Sequence, residues 1–303
     1  MRSPESLQTI VRLDTSVPSV ARVYNFLLGG AANFEADRVF AEQAMERWPL
    51  IRSLAVANRR YLGRVVDAAL DAGITQFLDL GAGLPTVGAV HEIVDRRLGA
   101  GAGGGDGHAG RVVYVDNDPI AYAHMEIMLD ETVGSGFVEW VAPLAGDLCR
   151  PSAILDHPKT RHLIDFKRPV CVLMVAILHF VGPDADVPAL IRRYRQPVAP
   201  GSWLAISHVA VDAAPDAAEA AQVRDLADFY QRTPTPVYVR DRAEINGWFS
   251  QWGELLSPGL VHLTDWRPEQ ADLNPAAAQA GPFSWCAVSE TDGREMEGGA
   301  KSR

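Results

Sequence analysis

Short, uninterrupted apolar runs alternate along the chain with longer stretches of helical periodicity. The runs fall at residues 76–80, 112–115, 137–141, 169–178 and 202–207. Turn residues close them: Gly81-Ala82-Gly83 after the first, Asp116-Asn117-Asp118 after the second and Gly146-Asp147 after the third. A run that is apolar at every position, rather than at every second one, is what a strand needs when both faces of its sheet are covered. Strand–helix–strand repetition then predicts right-handed crossovers and a doubly wound, mostly parallel α/β sheet. Further strands near 259–263 and 283–288 bring the expected number to seven.

Helix punctuation agrees with this. Asp118-Pro119 supplies an N-cap and a proline in the first turn of a helix reaching about residue 130. Asp241 and Glu244 have capping-box spacing and open a helix through about residue 252. Residues 213–232 read as a longer helix with Val223, Leu226, Ala227 and Tyr230 on one stripe. Helical patterns at 18–28, 37–48 and 51–70 make residues 1–70 a helical cover ahead of a 71–290 sheet domain. Residues 99–110 hold seven glycines in twelve positions and read as a flexible loop. The polar stretch from 289, and a tail over 291–303, have nothing to bury.

Composition narrows the function classes. With 48% apolar and 22% charged residues in a chain of 303, wholesale disorder is excluded. Lysine and arginine total 28 against 38 aspartates and glutamates, a net charge of −10, so no nucleic-acid partner is expected. No stretch is long and apolar enough for a membrane span, and Met1-Arg2-Ser3-Pro4-Glu5 lacks the apolar core of a signal peptide. The three cysteines (Cys149, Cys171, Cys286) form no closely spaced pair. No disulfide framework and no metal centre is expected, and the reducing cytoplasm is the expected location. The sequence sets no oligomeric state.

The acidic residues and glycines gain meaning from their places on the sheet. Asp79 and the Gly81-Ala82-Gly83 turn end the first strand, Asp116 the second and Asp147 the third. In an open α/β sheet the ligand crevice lies outside the carboxyl ends of the strands at the switch point, so these elements converge. A carboxylate at the end of the second strand suits two vicinal ribose hydroxyls, and the glycines permit a sharp turn and close ligand approach. A dinucleotide fingerprint would carry a third glycine where Thr86 stands, and Asp79 would repel a pyrophosphate. Asp79 suits an ammonium group instead, and Asp147 the adenine edge. A ligand with ribose, ammonium and adenine is S-adenosylmethionine (SAM).

Asp79-Leu80-Gly81-Ala82-Gly83, Val115-Asp116 and Gly146-Asp147-Leu148 resemble the successive motifs of class I SAM-dependent methyltransferases over about 75–288. More specifically, two stretches resemble a bacterial S-adenosyl methyltransferase family once catalogued as a domain of unknown function. One is the Asp14 to Tyr24 segment with Leu28-Gly29-Gly30, Asn33-Phe34 and Asp37-Arg38. The other is 77–86, followed by 113–119 and Leu178-His179-Phe180. The chain departs from the family at Ala31-Ala32 and in the last strand, 283–288. The resemblance implies a Rossmann-like fold and an adenosyl pocket of Asp79, Gly81, Ala82, Gly83, Asp116, Asn117, Asp147, Leu148 and Ala176. The resemblance names no acceptor; we expect methyl transfer to an O or N nucleophile of a small molecule, in specialised metabolism. SAM chemistry other than methyl transfer, or a non-catalytic SAM-binding regulator, is the alternative.

His179, after the fourth strand, is the first candidate for a general base, because imidazole takes a proton near neutrality. Its other reading is a wall of the adenosine pocket. His208, after the fifth strand, is the second candidate, as a substrate contact. Arg22, Tyr24, Asn33 and Phe34 are expected to form a lid that excludes water, and Tyr230 with Pro234-Thr235-Pro236 an acceptor wall. His91 is read as surface or packing, Asp184 and Asp186 as caps, and Cys171, Trp248 and Trp252 as core.

Overall fold

The computed structural model describes residues 14–84, 88–99, 109–132, 139–269 and 279–292. Its elements are α1 (Val20–Leu27), α2 (Glu35–Arg47), α3 (Ile51–Asp71), β1 (Gln76–Leu80), α4 (Val90–Leu98) and β2 (Arg111–Asp116). There follow α5 (Pro119–Thr132), β3 (Val141–Ala145), α6 (Pro151–Leu155), α7 (Pro158–Leu163), β4 (Cys171–Val175), α8 (Val187–Arg195) and β5 (Trp203–Val209). The last are α9 (Ala217–Tyr230), α10 (Arg242–Phe249), β6 (Glu254–Leu255), β7 (Val261–His262) and β8 (Ser284–Glu290). Single 3-10 turns occur at Leu178–Phe180, Val211–Ala213 and Gly281–Phe283.

Successive side chains of a strand point to opposite faces, and here both faces are dry. Leu78, Leu80, Val113, Val115, Val172 and Met174 enter one hydrophobic layer with Leu190, Ile191 and Trp248 of α8 and α10. Phe77, Val112, Tyr114, Cys171 and Leu173 enter the other with Tyr61 and Val65 of α3 and Val94 of α4. This double burial is why the strands read as continuous apolar runs. The strands lie in the order β3-β2-β1-β4-β5-β8-β6, with β7 also on β8. The first five pair in parallel, whereas β8 runs antiparallel to β5. The chain therefore leaves β1 toward β2 and later returns to β1's other flank as β4, which puts the switch point between β1 and β4.

A third layer lies over the strand ends. Val23, Leu27, Phe40, Ala44 and Trp48 of the N-terminal helices pack with Val223, Leu226, Phe229 and Tyr230 of α9 and with Phe283. Phe40 stacks on Phe229 with centroids 4.6 Å apart, and Trp48 meets Phe283 edge-on at 4.8 Å. The roof is thus built from both the N-terminal helices and the helix after β5.

Several boundaries differ from expectation. The third strand is 141–145, not 137–141, and carries Pro143; a proline without an amide is tolerated because β3 is an edge strand. The fourth strand stops at Val175, because Ala176 turns into a left-handed conformation with φ +55°. His208 lies within β5 rather than after it, because β5 stays paired with β8 as far as Val209. The sheet has eight strands, its extra member being one of the two-residue pieces β6 and β7 on β8. The polar residues from 289 are not an unburied tail throughout, since Ser289 and Thr291 are buried, and the Thr291 amide donates to the Ser202 carbonyl. The 99–110 loop, Pro85-Thr86 and the far tail lie wholly or mostly outside the described residues. The expected caps form: Asp118 accepts from the Ile120 amide, Asp186 from Ala189 and Asp241 from Glu244. Glu244 pairs with Arg240.

A buried charge network attaches the roof to the sheet. Arg22 Nε donates to Asp37 at 2.7 Å, and both side chains are almost fully buried. Asp37 also accepts the Ser19 and Phe34 amides, so it caps the starts of two helices at once. Ser19 Oγ donates to Asp118, and Arg22 Nη1 lies 3.8 Å from the same carboxylate. Asp118 in turn caps α5 in the loop after β2. Replacing Asp37 by alanine leaves Arg22 buried without its closest counterion. Asp37→Ala is expected to lose about 3 kcal/mol of stability in urea unfolding.

Candidate active site

A cavity of about 880 Å³ lies between the strand ends and the roof. Its volume is toward the upper end of the roughly 300–1,000 Å³ range of small-molecule sites. Asp79, Gly81, Ala82, Gly83, Asp116, Asn117, Asp147, Leu148 and Ala176 all line it, together with His179, His208, Arg22, Tyr24 and Tyr230. Asn33 and Phe34 are not among its lining residues. Asn33 donates to the Gly30 carbonyl and the Asn25 side chain within the α1–α2 loop, and Phe34 lies under the Arg22 guanidinium at 5.3 Å. They shape the α1–α2 loop instead of lining the cavity. Ala31-Ala32 lies in the same loop, outside the cavity lining.

The glycine turn is bound to the end of β2. The Gly81 and Ala82 amides donate to the Val115 carbonyl at 2.8 and 3.0 Å, and the Gly83 amide to the Asp116 carboxylate at 2.8 Å. These amides are engaged within the protein, so the glycines serve close approach rather than anion binding through their N–H groups. Asp116 also accepts the Asp118 amide at 2.9 Å. Burial raises the Asp116 pKa while these amides oppose the rise. Asp147 lies two residues beyond β3 and accepts the Cys149 amide.

Asp79 is buried on β1, and desolvation pushes its carboxyl up to about 7, with Arg59 opposing and Asp116 adding to the rise. Arg59, on α3, is a residue that sequence reading missed. It lines the cavity, its guanidinium lies over the Tyr24 ring, and its Nε is buried with no hydrogen-bond partner among the described residues. Helical periodicity reads position 59 as one more polar residue on an amphipathic helix. Only the packing of α3 beneath the roof turns it toward Asp79.

A hydrogen-bonded chain braces the turn after β4. The Ala176 amide donates to Ser207 Oγ at 2.9 Å, Ser207 Oγ donates to Asn58, and Asn58 Nδ2 donates to Tyr24 Oη at 3.0 Å. Tyr24 Oη donates onward to the Ala55 carbonyl. A non-glycine residue at φ +55° is strained, and strain of this kind persists where surrounding contacts over-determine it. Tyr24 therefore braces the rim.

The two histidines meet edge to face, with centroids 5.4 Å apart and an 86° interplanar angle. Burial, helped by the Arg240 charge, brings His179 down to about 3, and burial lowers His208 well below its ordinary value. Both rings are neutral at physiological pH. His208 Nδ1 lies 2.6 Å from the Val209 carbonyl, which can only accept, so the proton is on Nδ1 and Nε2 holds a bare lone pair. His208 Nε2 and His179 Nδ1 are buried without partners among the described residues. His91, by contrast, is buried rather than at the surface and is held by Tyr114 Oη at 2.8 Å. Trp248, Trp252 and Cys171 are core, as their spacing predicts.

The model of the S-adenosyl methyltransferase family matches residues 6–292. A Streptomyces avermitilis protein of the DUF574 family is similar in structure, with a TM-score of 0.80 and 32% identity over 92% of this chain and 99% of its own. A Thermobifida fusca protein, solved as a candidate methyltransferase, has a TM-score of 0.78 and 33% identity over 95% of this chain and 100% of its own. No curated protein matches the chain. Among the described residues no helix is long and apolar enough to cross a membrane.

The geometry of the turn is directly testable. A Cβ at Gly81 would lie 2.2 Å from Ile177 Cγ1, and the backbone there has φ +75°. Gly81→Ala is expected to cost at least about 2 kcal/mol of stability by urea unfolding, the sum of backbone strain and overpacking.

Proposed function

The chain belongs to the S-adenosyl methyltransferase family, and from that membership we propose that it methylates an O or N nucleophile of a small molecule. The observation that carries this reading is the division of one cavity into an acidic rim and an apolar roof with two neutral histidines. The rim residues fit SAM. Asp116 accepts from the ribose hydroxyls, Asp79 pairs with the amino-acid ammonium, and Asp147 with Leu148 meets the adenine edge. Arg59 takes the amino-acid carboxylate, since the glycine-turn amides already have acceptors and its cationic side chain lines the cavity near Asp79. Bound SAM supplies an electrophilic methyl group on a sulfonium.

The roof excludes water and holds the acceptor in line, so much of the catalysis is proximity and alignment. His179 accepts the acceptor's proton, with His208 as the second substrate contact. A neutral imidazole with a low pKa is a weak base, yet it suffices here. An oxygen acquiring a methyl group becomes strongly acidic as the new bond forms, so its proton passes readily to a weak acceptor.

The experiment separates binding from chemistry. In calorimetry Asp116→Ala weakens SAM binding by about 1.5–3 kcal/mol, as loss of charge-assisted hydrogen bonds requires. His179→Ala leaves SAM affinity within about twofold but lowers turnover by about a hundredfold or more. Unchanged affinity in the first variant, or full turnover in the second, removes that residue from its role. The spent cofactor is expected to be S-adenosylhomocysteine; methylthioadenosine in its place would indicate cleavage or cyclisation of SAM.

Asp79 gives a pH dependence with a defined sign. Its pKa near 7 in the empty site means that a ligand ammonium must displace a proton below that pH. Affinity for S-adenosylhomocysteine is therefore expected to be roughly tenfold weaker near pH 6 than near pH 8. Asp79→Asn should flatten the profile. The neutral His179 adds no titration in this window, and Asp116 shares the rim with a raised pKa, so an acid limb in Asp79→Asn as steep as in the unaltered chain would contradict the assignment.

A further inference from the structure

The end of the cavity away from the acidic rim has a lining of its own. Trp48, Phe180, Val223, Leu226, Tyr230 and Val237 belong to it, drawn from α2's end, the turn after β4, α9 and the segment that follows α9. The charged lining residues lie elsewhere: Asp79, Asp116, Asp118 and Asp147 at or near the strand ends, Arg59 beside Asp79, Arg22 within its buried network, and Asp14 and Asp184 exposed. Arg240, whose charge acts on both histidines, is absent from the lining. It donates to the Leu178 and Val181 carbonyls and pairs with Glu244. An ionised group held against this wall, away from the cofactor's sulfonium, would be desolvated without a counterion, which is strongly unfavourable.

What the wall does offer is aromatic surface beside two neutral imidazole rings that also line the cavity. His179 lies 4.4 Å from Phe180, centroid to centroid, and Phe180 lies 6.4 Å from Tyr230 at a tilt of 43°. Rings arranged in this way favour a flat guest in edge or offset contact. His179 and His208 both line the cavity as neutral rings, and a neutral imidazole keeps one nitrogen lone pair, which suits a neutral donor such as a hydroxyl.

We propose that the methyl acceptor is an uncharged, planar aromatic hydroxyl compound, seated against α9 with its hydroxyl toward the His179–His208 pair. The proposal rests on the methyltransferase reading and names the substrate class for that site. In the transfer the phenolic oxygen forms a bond to the methyl carbon as the carbon–sulfur bond breaks, and both electrons of that bond remain on sulfur. The phenolic proton passes to the His179 imidazole and then to solvent, so the sulfonium charge leaves as a proton. A phenol also suits a weakly basic imidazole better than an alkanol does, because it gives up its proton more easily.

The test uses the full chain saturated with S-adenosylhomocysteine, titrated calorimetrically at neutral pH with 2-naphthol, 2-naphthoate and the non-planar 2-decalol. 2-Naphthol is expected to bind at least about tenfold more tightly than either of the others. Equal affinity for 2-naphthoate overturns the claim of an uncharged guest, equal affinity for 2-decalol the claim of a planar one, and no measurable 2-naphthol binding the proposal as a whole. Leu226→Arg supplies the missing counterion and should reverse the preference in favour of 2-naphthoate. S-adenosylhomocysteine affinity retained in this variant reports that it is folded, and a preference left unmoved places the guest elsewhere and overturns the proposal. Should S-adenosylhomocysteine itself fail to bind the unaltered chain, the methyltransferase reading fails; should it bind without a naphthol preference, only the acceptor proposal does.

Discussion

The cavity exists because two neighbouring strands, β1 and β4, send the chain away from each other at their carboxyl ends, and the gap must be walled by whatever follows them. After β1 comes a glycine turn whose amides are tied to the end of β2. After β4 comes Ala176, held in a left-handed conformation through Ser207, and then the turn that presents His179. A side chain at Gly81 would overlap Ile177 on the opposite wall, so the two walls approach as closely as the backbone allows. Every later feature of the site inherits its position from this divergence.

Electrostatics divide the cavity. Carboxylates from successive strand ends gather at the rim because each closes a β-to-α connection, and their mutual proximity in a dry setting raises the cost of ionising Asp79. That arrangement suits a cationic guest, whose charge relieves the repulsion. At the roof the logic inverts. The histidines are buried among apolar and aromatic side chains beside an engaged arginine, so they stay neutral.

The roof is part of the site's chemistry because it shares a residue with the sheet. Asp118 is at once the cap of α5, the acceptor of Ser19 and the second anion near Arg22. The loop that carries Asp116 is thereby coupled to the N-terminal helices, and the Tyr24–Asn58–Ser207 chain makes a second link to the turn after β4. Two polar connections from the roof thus meet the two strand ends that flank β1.

Local chemistry made much of this legible before folding. Strand β1, the Asp118, Asp186 and Asp241 caps, and the descent of Asp79, Asp116 and Asp147 to one rim follow from short-range patterns. Double burial and cap geometry act within a few residues, and the ladder of βα units converts sequence order into spatial order. Tertiary packing settled the rest. Pro143 could join a strand only because β3 sits at an edge, and Ser289 is buried only because β8 continues beside β5. Arg59 became a site residue through the seating of α3, while Asn33 and Phe34 were diverted to shaping their own loop. The histidines' neutrality belongs to the same group, since imidazole titrates near neutrality until distant residues desolvate it. Burial of a charge or a lone pair is set by neighbours far away along the chain, and no local pattern encodes it.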